Sequence, residues 1–199
     1  MGGSIALCHR GRIIKTWTSQ NKLTNRYEAH YPGAVVDVLD DRGFEDQTMR
    51  AGIEPLRDTM ITAGIAYPLV GRPNRSVDPD ENIRHILRML GDAPEHAVLK
   101  YETNDTGDAA HIGELSVVSL EAVCVNGPVL DGGVRDVSFM IEGDLPVYPS
   151  YRAPTHCSVG RYSTGASERS SAASTSVRVT SSSATSTASS WSPRRSASR

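Results

Sequence analysis

The fold of this 199-residue chain is decided by two short stretches, Gly113-Glu114-Leu115 and Asp131-Gly132-Gly133-Val134-Arg135-Asp136. The second stretch follows an apolar segment typical of a strand and precedes an apolar run typical of a short helix. Its two glycines allow unusual backbone angles, which predicts a tight turn between these elements. Gly113 stands before another predicted helix, and that helix and the strand connect the two stretches. We therefore interpret them as one supersecondary unit.

Arg135 and Asp136 offer two kinds of binding chemistry at the start of a predicted helix. The guanidinium of Arg135 is a planar fork that matches a carboxylate, and the carboxylate of Asp136 is a hard ligand for a divalent cation such as Mg²⁺. At Gly113, the backbone N–H groups of a helix N-terminus would point at an anion, such as a substrate carboxylate or an enolate oxygen. The alternative is that these residues only cap helices and pair with their neighbours.

Around this unit, the chain alternates predicted strands and helices. The clearest signal is Asp78-Pro79-Asp80-Glu81, which combines an N-cap, an N1 proline and a capping-box glutamate, with Gly91 ending the helix. A strand at the edge or end of a sheet is predicted over 61–70, because a glycine and Pro68 interrupt it. The other predicted elements are helices over 33–43, 114–122 and 136–142 and strands over 97–102, 123–131 and 145–148. This alternation predicts an α/β domain with its site in the loops after the strands.

Charge and cysteine content exclude several classes of protein. Five arginines against one glutamate make residues 163–199 basic, and the formal net charge of −2 therefore leaves the rest acidic. An acidic body is a poor binder of phosphate backbones, so we expect no nucleic-acid partner. The sequence also lacks an apolar run of roughly 18 to 20 residues and a signal peptide, which predicts no membrane association. The three widely spaced cysteines, Cys8, Cys124 and Cys157, fit a reducing cytoplasm.

The order and spacing of the motifs resemble the RraA-like family. This family includes 4-hydroxy-4-methyl-2-oxoglutarate aldolases, related oxaloacetate decarboxylases and the RraA regulators of ribonuclease activity. Further matches are Gly33-Ala34-Val35-Val36-Asp37, the helix start Asp80-Glu81-Asn82-Ile83, and Arg152 through Tyr162. The resemblance implies a swivelling β/β/α-type domain. It also implies a homotrimer, because the family places its site at a subunit interface.

The family's site residues carry over by position. One arginine and four consecutive residues are implied to hold a pyruvate-like 2-oxo acid: Gly113, Glu114, Leu115, Ser116 and Arg135. Asp136 is implied to bind Mg²⁺ or Mn²⁺, partly through waters. Glu114 matches an acidic position that orients a water for proton transfer, and Asp37 matches one that a neighbouring subunit contributes. The implied activity is that of a metal-dependent lyase, with Glu114, Arg135 and Asp37 as catalytic residues.

Some residues depart from the family pattern or suggest other chemistry. Ser116 stands where an apolar residue is usual, and the helix after it lacks the family's lysine. Cys124 falls on a predicted apolar strand and is interpreted as a core residue. His111 and His156 lack partners at metal-ligand spacing. Two alternatives to the enzyme stay open: a non-catalytic RraA-type regulator that binds a ribonuclease, and an inactive, C-terminally incomplete family member.

The chain is divided into three predicted parts: an N-terminal extension over 1–26, the RraA-like domain over 27–162 and a tail over 163–199. The tail contains fifteen serines and five threonines, a composition that predicts disorder. Serine codons of the TCN type, read one base earlier, encode only valine, isoleucine, leucine or phenylalanine, and Ser174 through Pro193 can then resemble the family's C-terminal strands. We hypothesise a frameshift near Tyr162; the alternative is a genuine serine-rich tail that is a phosphorylation target.

Overall fold

The computed structural model describes residues 8–9, 12–13, 19–44, 47–49, 51–73, 78–104, 109–156, 162–166, 176–180 and 183–187. Five helices lie in these ranges: α1 Ser19–Glu28, α2 Pro32–Asp40, α3 Pro79–Gly91, α4 Glu114–Ala122 and α5 Val137–Glu142. The strands are β1 Cys8–His9, β2 Arg12–Ile13, β3 Thr62–Pro73, β4 Ala97–Glu102, β5 Ala110–Ile112, β6 Gly127–Asp131, β7 Gly133–Val134, β8 Tyr151–Arg152, β9 Tyr162–Ala166, β10 Ser176–Thr180 and β11 Ser183–Thr187. Within the described ranges, each helix is shorter or more polar than a bilayer span requires.

Two sheets organise the domain and confirm the predicted α/β class. In the larger one the order is β11-β10-β3-β4-β6, and β9 also pairs with β3. Its centre is parallel, since β4 pairs in parallel with both β3 and β6. The smaller sheet has the order β5-β7-β8 and is parallel throughout. Parallel strands need crossover connections, which α3 provides between β3 and β4, and the segment containing β5 and α4 provides between β4 and β6.

The core lies between the central strands and the helices that connect them. Its largest fully buried side chains include Leu99, Leu120, Leu130 and Tyr148. The Tyr148 hydroxyl donates to the carbonyl of Met60 at 2.6 Å, so this ring buries its apolar body and still satisfies its polar tip. The strand predicted over 145–148 is reduced to a single bridge between Val129 and Tyr148. The backbone of Tyr148 is nevertheless paired with β6, since its carbonyl accepts from the N–H of Leu130 at 2.9 Å and its N–H donates to the carbonyl of Pro128 at 3.0 Å.

β3 is an interior strand, whereas the sequence predicts an edge or end strand. On one side it pairs with β4 over Ile65–Val70. On the other side it pairs with β10 over Thr62–Ile65 and with β9 over Leu69–Pro73. Pro68 falls in the gap between these last two pairings. On this side of β3, therefore, no strand loses a hydrogen bond because proline lacks an N–H. The proline is therefore compatible with an interior position, because two partners share that edge.

The C-terminal tail contributes three of these strands. The sequence predicts disorder throughout 163–199, but the structure describes β9, β10 and β11 in or at the start of this range. Strand pairing uses the backbone, so the open edge of β3 supplies hydrogen-bond partners whatever the side chains are. β10 also alternates valine with polar residues, a pattern that suits a strand. Pairing of β9 and β10 with β3, and of β11 with β10, thus gives these segments a structure that their composition does not predict.

The N-terminal part also contains described elements. α1 spans Ser19–Glu28 and crosses the boundary predicted at residue 26. It packs against β3 and β10, and α2 packs against β10 and β11. α2 occupies Pro32–Asp40 and confirms the helix predicted from the 33–43 pattern. These two helices therefore lie against the C-terminal strands.

Candidate functional site

The small sheet brings the two deciding stretches together. Ile112 in β5 is the register partner of Val134 in β7, and the N–H of Arg135 donates to the carbonyl of Ile112 at 3.1 Å. The residues that follow, Gly113 and Arg135, thus leave neighbouring parallel strands at the same edge. Since the carboxyl ends of parallel strands are where loops converge, this edge positions the candidate site.

Asp136 connects the two stretches through its side chain. Its Oδ2 accepts a hydrogen bond from the N–H of Glu114, the first residue of α4, at 3.1 Å. The same oxygen lies 3.4 Å from Nε of Arg135. The backbone of Asp136 is left-handed, with φ 53° and ψ 40°, and this turns the side chain back from the start of α5 toward α4. One carboxylate oxygen therefore meets both a helix N-terminus and a guanidinium.

Arg135 has an unsatisfied donor at this point. Its Nε is buried and has no hydrogen-bond acceptor in the described part of the chain, although the ion pair with Asp136 is close. The rest of the side chain reaches solvent, with 38% of its area exposed. A buried donor without an acceptor is unfavourable unless a further group completes it. The guanidinium is thus placed to receive an anion from outside the chain.

Gly113 is required by this close approach. A Cβ at this position would lie 2.8 Å from Oδ2 of Asp136 and 2.9 Å from Nε of Arg135, both shorter than ordinary contacts. Its backbone is extended, so a special dihedral angle is not the reason for glycine. The absence of a side chain lets the Asp136 carboxylate reach the N-terminus of α4.

Gly132 and Gly133 have the same kind of role, which corrects the sequence interpretation. Neither has a positive φ, although the Gly-Gly pair predicts unusual backbone angles. A Cβ on Gly132 would meet Cγ2 of Thr103 at 2.5 Å, and one on Gly133 would meet the ring of Tyr151 at 2.4 Å. The left-handed residue of this turn is Asp136 instead. The glycines let the chain pass between neighbouring side chains, and the aspartate makes the sharp turn.

The donor set at this edge fits a magnesium-type cation with one protein ligand. In the described ranges, no group of three or more His, Cys, Asp or Glu side chains is arranged to hold a metal ion. Mg²⁺ commonly binds through one or two carboxylates and completes its octahedron with waters and substrate oxygens. Asp136 offers such a carboxylate, since its Oδ1 is not used in the contact with Glu114. A closed structural zinc site would need more ligands than these.

His156 is a site residue that the sequence interpretation set aside. It bridges Ala110 of β5 in parallel, and the charges of Arg135 and Asp136 both act on its ring. Burial, followed by the positive charge of Arg135, lowers the pKa of His156, while Asp136 opposes them. His156 lies twenty positions after Asp136 in the sequence, and this spacing matches no motif that would predict contact between the two residues. Only the pairing of its segment with β5 brings it to the site.

The other predicted residues are distributed differently. Glu114 and Leu115 are exposed at the start of α4, and the N–H of Ser116 donates to the carbonyl of Gly113 at 3.1 Å. Asp37 lies exposed on α2, and its carboxylate makes no hydrogen bond or ion pair with the described residues. Cys124 is half-buried in the turn after α4, not on a core strand. One chain therefore brings together Gly113, Glu114, Arg135 and Asp136, but not Asp37.

Comparison with known proteins fits this arrangement. The profile of the RraA-like family, described as Aldolase/RraA, matches residues 33–182. The chain belongs to the RraA-like family. The match continues past residue 162, through β9 and β10, while the predicted division at 162 and the frameshift hypothesis stay predictions. None of the curated proteins matches the sequence.

Solved structures of RraA proteins share the fold. A Streptomyces coelicolor protein, described as an unusual member of the RNase ES inhibitor RraA family, has 17% identity and a TM-score of 0.68 over 83% of this chain and 84% of its own. The RNA-processing inhibitor RraA from Thermus thermophilis has 12% identity and a TM-score of 0.54 over 75% and 89%. A structure described under novel cellulases from gut-associated microbes has 22% identity and a TM-score of 0.72 over 89% and 82%. At these identities the likeness shows the fold alone.

Proposed function

We propose that the protein is a divalent-metal-dependent lyase that cleaves 2-oxo acids of the 4-hydroxy-4-methyl-2-oxoglutarate type to pyruvate. Decarboxylation of oxaloacetate is the related reaction. The observation that carries the proposal is the convergence of two donors at one point: Nε of Arg135 and the N–H of Glu114 lie 3.4 Å and 3.1 Å from the same carboxylate oxygen. A site that accommodates one carboxylate oxygen there has the donors that a 2-oxo acid needs.

The chain's own residues would bind and orient the acid. Arg135 would donate to the carboxylate next to the 2-oxo group, which gives its buried Nε an acceptor. The N–H groups at the start of α4 would add donors with the favourable end of the helix dipole behind them. Asp136 would hold Mg²⁺ or Mn²⁺ through a carboxylate oxygen, and the cation, when bound, would draw electron density from the 2-oxo group.

Retro-aldol cleavage then requires one proton to leave and another to arrive. The C4 hydroxyl loses its proton as its oxygen forms a carbonyl, the C3–C4 bond breaks, and the electron pair passes to the enolate of pyruvate. Protonation of that enolate at C3 completes the product. The exposed carboxylate of Glu114 would orient a water for these transfers. In oxaloacetate the departing fragment is CO₂, and the enolate is the same.

We include a homotrimer in the proposal. Three apolar side chains beside the candidate site are unusually exposed for their type: Leu115 by 71%, Val118 by 47% and Phe139 by 37%. They lie on α4 and α5, which pack against each other, so a neighbouring subunit could cover them together. Such a neighbour would also supply the Asp37 that this chain does not place at its own site. A cytoplasmic location completes the proposal.

A ribonuclease regulator is the second candidate. The observation in its favour is that two proteins with this fold are described as inhibitors, of RNase ES and of RNA processing. A regulator has no need of an unsatisfied arginine donor beside a helix N-terminus, so the site geometry favours the lyase. Pyruvate release distinguishes the two functions directly.

The deciding experiment is an assay of pyruvate release from 4-hydroxy-4-methyl-2-oxoglutarate and from oxaloacetate, with Mg²⁺ and with a chelator. We expect release that depends on the cation. Arg135→Ala should lower it by roughly 100-fold or more, since the loss of one charge-stabilising donor commonly has this effect. Arg88→Ala is the matched control, because Arg88 is exposed in the last turn of α3. Full activity of Arg135→Ala would remove the assignment, and no release from either acid would leave the regulator or an inactive family member.

A further inference from the structure

We infer that Asp136 is a built-in competitor of the substrate carboxylate, and that engagement of Asp136 by the divalent cation raises the affinity of the site for the 2-oxo acid. This inference rests on the proposed function. It concerns the coupling between the two ligands and assigns Asp136 a second role besides that of metal ligand. The structure supports it through the position that the Asp136 carboxylate occupies.

That position is the one the substrate needs. Oδ2 of Asp136 accepts from the N–H of Glu114 and lies beside Nε of Arg135. Both groups are the proposed donors to the acid, and a backbone N–H at a helix start accommodates one acceptor well. A substrate carboxylate and the Asp136 carboxylate therefore compete for the same donors, and their like charges also repel each other.

Glycine at position 113 makes this competition possible. A Cβ there would come within 2.8 Å of Oδ2 of Asp136 and 2.9 Å of Nε of Arg135. The same open space that admits the internal carboxylate would admit an external one. The geometry thus describes a carboxylate-binding position whose first ligand belongs to the chain itself.

Asp136 is also free to move away. Its side chain is 38% exposed, and α4 has no side-chain cap from its own N-cap residue, Gly113. Rotation of the carboxylate toward solvent would leave the buried core unchanged, in contrast to a movement of Met140 one turn later in α5. The exchange therefore needs a side-chain rotation only.

A cation supplies the reason for that rotation. Mg²⁺ held through Oδ1 of Asp136 would share the negative charge beside Arg135 and weaken Oδ2 as an acceptor for the N–H of Glu114, which would favour rotation of the carboxylate away from both donors. The guanidinium of Arg135, the cation and the open N-terminus of α4 would then favour an incoming carboxylate. By linkage, the acid must raise the affinity for the cation by the same factor as the cation raises the affinity for the acid.

The test measures pyruvate binding by calorimetry to the full chain in EDTA, with no turnover involved. Wild type is compared with Asp136→Asn, which keeps an oxygen for the N–H of Glu114 but loses the charge, and with Asp136→Ala, which removes both. We expect affinity to rise from wild type to Asp136→Asn to Asp136→Ala, with the last about tenfold above wild type. Glu142→Gln is the charge control, because it removes an exposed negative charge at the end of α5 without opening the N–H of Glu114, and it should stay within about twofold of wild type.

Equal affinities of all four proteins in EDTA would overturn the inference, and so would equal gains for the asparagine and alanine variants, since charge alone would then explain them. A second measurement does not depend on the variants. In labelled wild-type protein, Mg²⁺ alone should shift the amide resonance of Glu114 as its hydrogen bond to Asp136 is lost, and an unchanged resonance at saturating Mg²⁺ would also overturn the inference.

Failure of the proposed function gives a different result. If wild type with Mg²⁺ releases pyruvate but the EDTA affinities do not follow the expected order, the lyase stands and the competition is wrong. If Asp136→Ala binds pyruvate more tightly in EDTA but wild type with Mg²⁺ cleaves neither acid, the competition stands and the lyase is wrong.

Discussion

The N-termini of α3 and α4 solve the same physical problem in different ways. At α3, the N-cap Asp78 accepts from the N–H groups of Asp80 and Glu81, both at 3.0 Å. At α4, the N-cap is Gly113, which has no side chain, and the acceptor for Glu114 comes from Asp136, which follows α4, β6 and β7 in the chain. Every helix start leaves donors without intrahelical partners. One helix satisfies them locally, and the other through tertiary structure.

The difference separates a structural cap from an exchangeable one. Asp78 is two and three residues from the groups it bonds, so the contact forms with the helix itself and adds stability to it. Asp136 reaches α4 only after β5 and β7 have paired, and it lies beside an arginine whose Nε lacks an acceptor in the described residues. When the capping carboxylate comes from a residue distant in sequence, it can be exchanged, and the helix N-terminus is then available to another anion.

The largest expected effect in this comparison is on pyruvate release, when a methyl group is added at the N-cap of α4. The same addition at the end of α3 should have little effect. Gly113→Ala would place a Cβ against Asp136 and Arg135. We expect pyruvate release to fall by about 100-fold, because a displacement on the order of 1 Å in a positioning residue has effects of this size. Gly91→Ala at the end of α3 is the control, since nothing lies within 4 Å of its Cβ position. If Gly113→Ala were as active as Gly91→Ala, the claim that position 113 requires glycine would be wrong.

A smaller effect should follow from removing the local cap. Asp78→Ala should lower the free energy of unfolding by about 1 kcal/mol and the melting temperature by about 2 to 4 °C, with pyruvate release unchanged below the transition. Thermal unfolding followed by circular dichroism, alongside the pyruvate assay, measures both. Asp78→Ser, which can still cap the helix, should restore the stability. A loss of activity without a loss of stability would mean that the two helix starts do not differ as described.

The smallest effect concerns the histidine near the α4 site. The pKa of His156 is lowered by burial and by Arg135, so the folded chain resists its protonation. As the pH falls below about 6.5, the unfolded chain binds this proton first, and folding stability therefore decreases. Urea unfolding of wild type and His156→Gln at pH 7.5 and 5.5 measures the difference. We expect the glutamine variant to lose less stability between the two values; parallel losses would show that His156 does not report on this site.

Much of the secondary structure could be predicted from the sequence. The helix after Asp78, the strand β4, and the helices α4 and α5 all lie within a few residues of their predicted positions. These elements depend on interactions between residues close in the chain: a cap, an N1 proline, a run of apolar residues. The order of the motifs also indicated the family, which the profile match shows.

The errors of prediction share a physical cause. β3 has two partners on one edge, and the tail strands β9 and β10 exist as strands because β3 offers them that edge. The glycines of the Asp131–Asp136 turn are needed for close approach to Thr103 and Tyr151, which lie far away in sequence. His156 joins the site through a bridge to β5. In each case the decisive neighbour is non-local, so no pattern within the segment reveals it.

By itself, the sequence determined that α3 begins at an aspartate cap, that strands and helices alternate, and that Gly113, Arg135 and Asp136 belong to one unit. These features follow from local hydrogen bonding and from periodicity along the chain. Only the tertiary structure decided that the carboxylate of Asp136 turns back onto the N-terminus of α4, with Gly113 leaving room and Arg135 beside it. That contact depends on the parallel pairing of β5 with β7, because the pairing fixes the distance between groups that the chain alone leaves free.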